Sequence, residues 1–260
     1  MFVKVVKKFN QIMLWLLGVL LVLAMVLTVA FKLYTSNYYK ADVDSIASIE
    51  AEVGENVQVY SDDDLLVFIP SRTEVKAIIA FYPGGKVEYK AYSGLMYELA
   101  NRGFLCLLPR MPENLAFLET NSVDIIKEQY PAQVKFSEGL DWYLAGHSLG
   151  GVAAAEYLGK QSDGVYKGII MCASYPSTDF STRDLRLLSI YGSEDGVLKM
   201  RNYENSKRFW PEDSTEYVIE GGIHSYFGNY GIQSGDGEPS ITNVEQIKIA
   251  ADVISDFISG

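Results

Sequence analysis

The sequence predicts an α/β fold of about eight mostly parallel strands flanked by helices, with one transmembrane helix near the N-terminus. Short apolar runs rich in β-branched and aromatic residues alternate with longer helical patterns, which is typical of strands joined by crossover helices. An uncharged apolar stretch precedes these runs. The length of 260 residues suits one substantial core with a small appendage, so we expect a single domain after the transmembrane helix.

The uncharged stretch at 12–31 predicts the transmembrane helix. A helix of these 20 residues would be about 30 Å long, which matches the hydrocarbon core of a bilayer. A cleaved signal peptide is the alternative, but its apolar region is usually about 7 to 15 residues long and ends at a site of small residues. We therefore expect residues 12–31 to bind a membrane as an uncleaved anchor.

Lysine counts on the two sides of this stretch predict its orientation. Three lysines precede it and two follow it before residue 43, a bias that weakly favours a cytoplasmic N-terminus. The domain would then lie outside the cytoplasm. The expected segments are a short basic N-terminal segment at 1–11, the anchor at 12–31, a linker at 32–42 and the domain at 43–260.

Composition excludes some classes of function. The formal net charge of −11 would repel phosphate backbones, so we expect no nucleic acid partner. The two cysteines of the chain do not indicate a disulfide scaffold. The sequence also predicts no metal site and no cofactor.

Eight apolar runs after the linker predict the strands of the sheet. The first two, at 57–60 and 65–69, flank a polar turn and predict an opening hairpin. The later runs are apolar almost throughout, as expected of strands that are covered on both faces. These later runs are 77–82, 104–108, 142–145, 168–173, 187–191 and 217–219.

Three helices are predicted between and after these strands. The first two, at 89–102 and 149–158, end where Gly103 and Gly159 follow. In the third, apolar residues recur at spacings of three and four between Val244 and Ile258, and polar residues lie on the opposite face. This last helix should pack on the sheet and close the domain.

The segment Gly146-His147-Ser148-Leu149-Gly150 lies directly between a predicted strand and a predicted helix. A G-x-S-x-G sequence at such a junction is typical of a sharp turn that strains the serine backbone, with glycines that keep Cβ atoms out of the neighbouring elements. An ordinary glycine-rich turn is the alternative. The position between strand and helix favours Ser148 as a nucleophile.

A serine nucleophile needs a base, and the chain has only two histidines. His147 is adjacent to the nucleophile, where the backbone should direct its ring away from Ser148, so we interpret it as structural or pocket-lining. His224 follows the last strand in a glycine-containing loop, which is the expected position of the base. Asp195 is the expected acid that orients the imidazole. We favour it over Glu194 because a helix should begin one or two residues after Asp195.

Negative charge that develops on a carbonyl oxygen during acyl transfer is stabilised by backbone N–H donors. The loop 82–86 leaves a predicted strand and contains two consecutive glycines, which permit close backbone approach. We expect the N–H groups of Gly85 and Leu149 to form this oxyanion hole. A plain Pro-Gly-Gly turn is the alternative interpretation of the loop.

Motifs at 82–87, 110–116, 146–150, 191–196 and 221–224, the last running into 231–237, resemble those of a known family. From about residue 57 onward the chain resembles the α/β hydrolases, specifically the small bacterial hydrolases related to dienelactone hydrolases, the α/β-hydrolase fold-5 group. The resemblance implies an eight-stranded, mostly parallel sheet. Dienelactone hydrolases carry cysteine where this chain has Ser148, so their lactone substrate is not implied. The family's strand order places Cys106 and Cys172 three strands apart, about 14 Å, which implies free, buried thiols.

The short segment 174–184 between two predicted strands leaves no room for a lid domain. We therefore expect an open cleft bordered by Arg110, Met111, Tyr226 and Phe227. The predicted function is hydrolysis of an ester or related acyl bond of a small-molecule substrate, through an acyl-enzyme on Ser148. A membrane-tethered acyltransferase or peptidase would use the same residues, and a non-catalytic binding module with this fold is a further alternative.

Overall fold

The computed structural model describes residues 2–134 and 139–260. The chain contains two compact units, one that ends at Tyr38 and one that spans Tyr39–Gly260. The first unit contains a single long helix, α1, at Phe2–Ser36. The second unit contains a sheet with helices on both faces.

Helix α1 includes a segment, Lys7–Ser36, that is long and apolar enough to cross a membrane, with a mean hydropathy of 2.9. A signal sequence near the N-terminus meets the same criteria. The helix extends past both ends of the expected span at 12–31, because each residue added to an existing helix gains a backbone hydrogen bond. Met1, the first residue of the expected basic segment, lies outside the described residues.

Eight strands form one sheet, as the sequence predicts. They are β1 (Val57–Ser61), β2 (Leu65–Pro70), β3 (Ala77–Tyr82), β4 (Phe104–Pro109), β5 (Asp141–His147), β6 (Gly168–Cys172), β7 (Arg186–Gly192) and β8 (Asp213–Ile219). Their order across the sheet is β1-β2-β4-β3-β5-β6-β7-β8. Strand β2 pairs antiparallel with β1 and β4, and all other neighbours are parallel. The fold class predicted from the sequence is therefore confirmed.

Strand β8 begins at Asp213, earlier than the expected start at residue 217. The added residues 213–216 are polar, and this edge strand pairs with β7 through its backbone from Asp213 onward. Backbone pairing needs no apolar side chain, so an apolar run underestimates the length of an exposed edge strand.

Parallel pairing brings the carboxyl ends of six strands, β3 to β8, to one edge of the sheet. Tyr82 at the end of β3 is level with Gly146 in β5, and Gly192 at the end of β7 is level with Ile219 in β8. The loops that carry the expected site residues all follow these strand ends. Ligands of open α/β sheets bind at this edge.

Within residues 39–134 and 139–260 the structure describes seven α-helices. They are α2 (Val43–Val53), α3 (Ser93–Asn101), α4 (Ser122–Gln129), α5 (Pro131–Val134), α6 (Leu149–Leu158), α7 (Met200–Ser206) and α8 (Asn243–Ser259). Side chains of β3 alternate between the faces: Ile79 and Phe81 pack with α3 and α8, while Ile78 and Ala80 pack with α6. The predicted bounds of α6 are confirmed, and α8 begins at a capping box formed by Thr242 and Glu245.

Two helix predictions need correction. The helix expected over 89–102 is divided into a short 3₁₀ turn, Tyr89–Tyr92, and α3, because Tyr92 departs from α-helical dihedrals with φ −92° and ψ 3°. The helix expected to begin near residue 196 or 197 begins at Met200. The Asp195 carboxylate binds the next backbone N–H groups and holds the chain in a turn up to that point.

Cys106 and Cys172 are free and fully buried, which confirms the prediction. They lie on β4 and β6, which are separated by β3 and β5 in the sheet. Burial raises the pKa of the Cys172 thiol to about 12 and raises that of Cys106 as well. Both side chains therefore act as small apolar groups of the core.

Candidate active site

Ser148 occupies the sharp turn between β5 and α6. Its backbone has φ 51° and ψ −122°, a conformation that costs a non-glycine residue about 1–3 kcal/mol. A Cβ atom at Gly146 would lie 2.6 Å from the Gly150 carbonyl carbon, and one at Gly150 would lie 2.1 Å from the Tyr82 carbonyl oxygen. Both flanking positions therefore require glycine, because β5, β3 and α6 approach each other so closely.

The strained turn is held by two hydrogen bonds. The Ser148 N–H donates to the Cys172 carbonyl at 2.9 Å, and the Ser174 hydroxyl donates to the Ser148 carbonyl at 2.6 Å. The Ser148 hydroxyl is half-buried and makes no hydrogen bond to residues 2–134 or 139–260. The surrounding structure thus fixes the backbone and leaves the hydroxyl free to react.

Asp195 and His224 are joined by a buried hydrogen bond. His224 Nδ1 lies 2.8 Å from Asp195 Oδ2, and the two side chains are only 2% and 1% exposed. The other oxygen, Asp195 Oδ1, accepts the N–H groups of Val197 and Leu198 at 2.9 and 2.7 Å. Since a carboxylate accepts, Nδ1 carries a proton, and in the neutral form of the ring Nε2 carries a lone pair. His224 Nε2 is buried and has no partner among the described residues.

Glu194, the alternative acid, is placed differently. It is exposed, and its carboxylate accepts the Ser193 hydroxyl at 3.2 Å. Its N–H donates to the Gly222 carbonyl at 2.9 Å, which turns the side chain of the next residue, Asp195, toward the histidine. The structure therefore brings Asp195, and not Glu194, to the imidazole.

A cavity of about 190 Å³ contains both Ser148 and His224 in its wall. Its other lining residues are mostly apolar or small, with one lysine: Leu149, Val152, Ala173, Ser174, Tyr175, Val197, Leu198 and Lys199. Ser148 and His224 thus line the same small cavity. A general base in an unliganded site need not contact its nucleophile closely.

Gly85 lies against the turn that carries Ser148. A Cβ atom at Gly85 would lie 2.9 Å from Leu149 Cδ2, so the loop passes close to the first residue of α6. Within the described part of the chain, the N–H groups of Gly85 and Leu149 donate to no protein acceptor. The next N–H, that of Lys86, donates to the Asn114 carbonyl at 2.8 Å and fixes the loop. Two unengaged N–H groups next to a serine can stabilise an oxyanion.

A model of the alpha/beta hydrolase family matches residues 78–248. The chain belongs to this family. No curated protein matches the chain. Membership supports hydrolase activity in general, while the substrate depends on the site and not on the fold. The closer relation to dienelactone hydrolases stays a prediction.

His147 of this alpha/beta hydrolase is 1% exposed and uses both ring nitrogens. Nδ1 lies 2.8 Å from the Tyr92 hydroxyl, and Nε2 lies 3.0 Å from the His224 carbonyl oxygen. Burial and the adjacent His224 ring hold the pKa of His147 well below its usual 6.5. His147 is thus neutral and directed away from the cavity at Ser148.

Two residues that the sequence analysis missed bind the backbone of the His224 loop in this hydrolase. Asp236 accepts the His224 N–H at 3.1 Å and the Ser225 N–H at 2.7 Å. Gln246 on α8 is fully buried and binds both the N–H and the carbonyl of Ile223, at 2.9 and 2.8 Å. The available signals were an aspartate between two glycines, typical of backbone-binding turns, and a glutamine on the buried side of an amphipathic helix.

The four expected cleft residues lie outside the wall of the cavity at Ser148. Arg110 and Met111 line a second cavity, of about 430 Å³, together with residues of α4. Phe227 is fully buried and packs against His147, with ring centroids 5.7 Å apart. Tyr226 is half-buried. The loop after His224 folds back onto the core, so its aromatic residues pack there instead of bordering the cavity.

Proposed function

We propose that this protein is a serine hydrolase that cleaves an ester or related acyl bond through an acyl-enzyme on Ser148. One observation carries the proposal: His224 is bound to Asp195 through Nδ1, its buried Nε2 has no partner among the described residues, and His224 lines the same cavity as Ser148. A buried nitrogen without a partner is costly and calls for an explanation, which the role of a base supplies.

Each step of the proposed reaction follows from these atoms. Ser148 Oγ attacks the acyl carbon while His224 Nε2 takes its proton, and Asp195 stabilises the resulting imidazolium. The tetrahedral intermediate expels the alcohol, which receives the proton from Nε2. Water then attacks the acyl-enzyme, Nε2 takes a proton from that water, and the carboxylic acid leaves as the Ser148 hydroxyl forms again.

The N–H groups of Gly85 and Leu149 are the proposed oxyanion hole. A donor of this kind contributes about 2.7–4 kcal/mol to transition-state stability. The loop of Gly85 is held by the hydrogen bond of the adjacent Lys86 to Asn114. A rigid loop costs no reorganisation during the reaction, which is what this role requires.

The cavity at Ser148 supports a short acyl group as substrate. Its volume of about 190 Å³ is below the range of roughly 300–1,000 Å³ for drug-sized ligands. Among its described lining residues, Lys199 carries the one permanent positive charge. We expect a succinyl ester to react roughly two- to fivefold faster than a butyryl ester, since an exposed ion pair contributes about 0.2–1 kcal/mol. Loss of this preference in Lys199→Met, measured as kcat/KM, tests the expectation.

We also propose that residues 12–31 anchor the enzyme in a membrane, with the N-terminus in the cytoplasm. Helix α1 supports an anchor by length and composition. N-terminal sequencing of the membrane-bound protein distinguishes an anchor from a cleaved signal. Protease digestion of sealed vesicles of known orientation tests the side on which Tyr39–Gly260 lies.

A fluorophosphonate probe tests the proposed reaction on the full-length protein in detergent. We expect one covalent adduct at Ser148 and none in Ser148→Ala. Ser174→Ala is the matched control, because Ser174 lines the same cavity but its hydroxyl is bonded to the Ser148 carbonyl. Labelling that persists in Ser148→Ala, or disappears only in Ser174→Ala, would overturn the proposal.

A further inference from the structure

A buried chain of hydrogen bonds connects the loop of Gly85 to the loop of His224. The Gly84 N–H donates to the Tyr92 hydroxyl at 2.9 Å, and this hydroxyl lies 2.8 Å from His147 Nδ1. His147 Nε2 lies 3.0 Å from the His224 carbonyl oxygen. The chain therefore begins one residue before Gly85 and ends on the backbone of His224.

Chemistry fixes the direction of every bond in this chain. A carbonyl oxygen only accepts, so His147 Nε2 carries the proton that it donates to the His224 carbonyl. The neutral ring then accepts at Nδ1, which the Tyr92 hydroxyl supplies with its only proton. That hydroxyl in turn accepts from the Gly84 N–H. The Tyr92 hydroxyl and the His147 ring each accept one hydrogen bond and donate one, so the chain has a single arrangement while the ring is neutral.

The members of the chain are held tightly in place. Tyr92 is fully buried and His147 is 1% exposed. A Cβ atom at Gly84 would lie 2.6 Å from the Tyr92 oxygen and 2.7 Å from His147 Nδ1. The Tyr92 ring packs on Phe81 of β3, with centroids 5.0 Å apart. A displacement of either loop must therefore stretch these bonds or move the buried rings.

We propose that Tyr92 and His147 are positioning residues that set the oxyanion loop and the loop of the base relative to each other. This inference rests on the proposed function of Ser148, His224 and Gly85. The transition state needs its oxyanion donors and its base in register at the same moment, and a misplacement of about 1 Å costs roughly 100-fold in rate. A single buried chain that ends on both loops maintains that register.

Tyr92→Phe tests the inference, because it removes one hydroxyl and keeps the ring. Tyr203→Phe is the matched control: Tyr203 is also fully buried, and its hydroxyl also makes two hydrogen bonds, to Ser189 and Glu216, both at 2.8 Å. We expect both variants of the full-length protein in detergent to lose thermal stability to a similar extent. Only Tyr92→Phe should lower kcat for p-nitrophenyl acetate, by roughly 10- to 100-fold with KM little changed.

A second measurement does not depend on activity. The chain has only two histidines, so ¹⁵N-histidine NMR resolves both rings. In the parent, His147 should be the Nε2–H tautomer and His224 the Nδ1–H tautomer. In Tyr92→Phe both sets of ring signals should shift, while Tyr203→Phe should leave them unchanged.

The outcomes separate the two proposals. If the parent shows no Ser148-dependent hydrolysis, the proposed function fails, and the NMR shifts alone decide whether the chain couples the loops. If hydrolysis depends on Ser148 and kcat of Tyr92→Phe equals that of Tyr203→Phe, the inference is overturned. It is also overturned if the His224 signals do not respond to Tyr92→Phe.

Discussion

His147 and His224 are the same residue type at nearly the same depth, yet their surroundings give them different chemistry. They are 1% and 2% exposed, and their ring centroids lie 4.6 Å apart. His147 has a protein partner at each ring nitrogen, whereas His224 has one at Nδ1 and none at Nε2 among the described residues. Burial alone therefore does not distinguish the proposed base from the other histidine, whereas the unsatisfied nitrogen does.

The largest expected effect comes from exchanging each histidine for glutamine. His224→Gln removes the base and should lower the turnover of p-nitrophenyl acetate by about 10⁴- to 10⁶-fold, the scale of base removal in a serine protease. His147→Gln keeps the base and should cost roughly 10- to 100-fold through misplacement. Thermal unfolding of both variants is the control for folding. If a folded His147→Gln were as inactive as His224→Gln, the comparison between the two rings would fail.

Exchange of Asp195, the partner of His224, should lower turnover almost as much as exchange of the histidine itself. Asp195→Asn presents the wrong group to Nδ1, and we expect a loss of turnover of up to about 10⁴-fold, since the imidazole adopts the wrong tautomer. Glu194→Gln, the neighbouring exposed acid, should stay within a few-fold of the parent. The reverse order of these two variants would assign the acid to Glu194.

A smaller loss of turnover is expected from exchange of Asp236, which binds the backbone of the His224 loop. Asp236 accepts the N–H groups of His224 and Ser225, and bonds to a charged group are worth about 1.5–3 kcal/mol each. Asp236→Asn keeps one accepting oxygen, so we expect a loss of turnover of roughly tenfold and a lower melting temperature. Unchanged kcat with lowered stability would limit Asp236 to a structural role.

The smallest effect is the contribution of His147 to the dependence of stability on pH. Its pKa is held well below 6.5 in the fold, so the unfolded chain takes up a proton below about pH 6.5 that the folded chain does not. The unfolding free energy should therefore fall as the pH is lowered through this range, by at most about 1.4 kcal/mol per pH unit. The ring faces Tyr92, Tyr230 and His224, and burial raises the pKa of both tyrosines.

Chemical denaturation of the parent and His147→Gln between pH 5 and 7.5 gives the unfolding free energy of each protein against pH. The difference between the two slopes measures the contribution of His147. In the parent, the His147 ring signals in ¹⁵N NMR should stay those of a neutral imidazole down to pH 5. Identical slopes, or a His147 ring that titrates near pH 6.5, would show that its burial does not hold it neutral.

Much of the fold was predictable because local signals agree with the tertiary arrangement. The eight apolar runs correspond to the eight strands, and the clearest runs are those of β3 to β7, since residues covered on both faces of a parallel sheet must be apolar. The G-x-S-x-G segment gave the position of Ser148, because only glycines fit beside it at Gly146 and Gly150. The bounds of α6 follow from the same segment.

Other elements were not predictable from local pattern. Helix α7 begins at Met200 because the Asp195 side chain binds the preceding backbone, which no periodicity reveals. The cavity wall at Ser148 includes Val197 and Leu198, whereas Arg110 and Met111 line a different cavity. Which loop borders which cavity depends on how far each strand extends at its carboxyl end. The packing of the domain sets that length.

The sequence by itself determined the strand pattern, the apolar N-terminal helix and the small set of residues able to perform acyl chemistry. Only the tertiary structure decided which histidine keeps a ring nitrogen without a partner among the described residues, since Tyr92 and Asp195 are brought to His147 and His224 from distant parts of the chain. The physical reason is that hydrogen-bond satisfaction depends on contacts between residues far apart in sequence, while secondary structure depends largely on near neighbours.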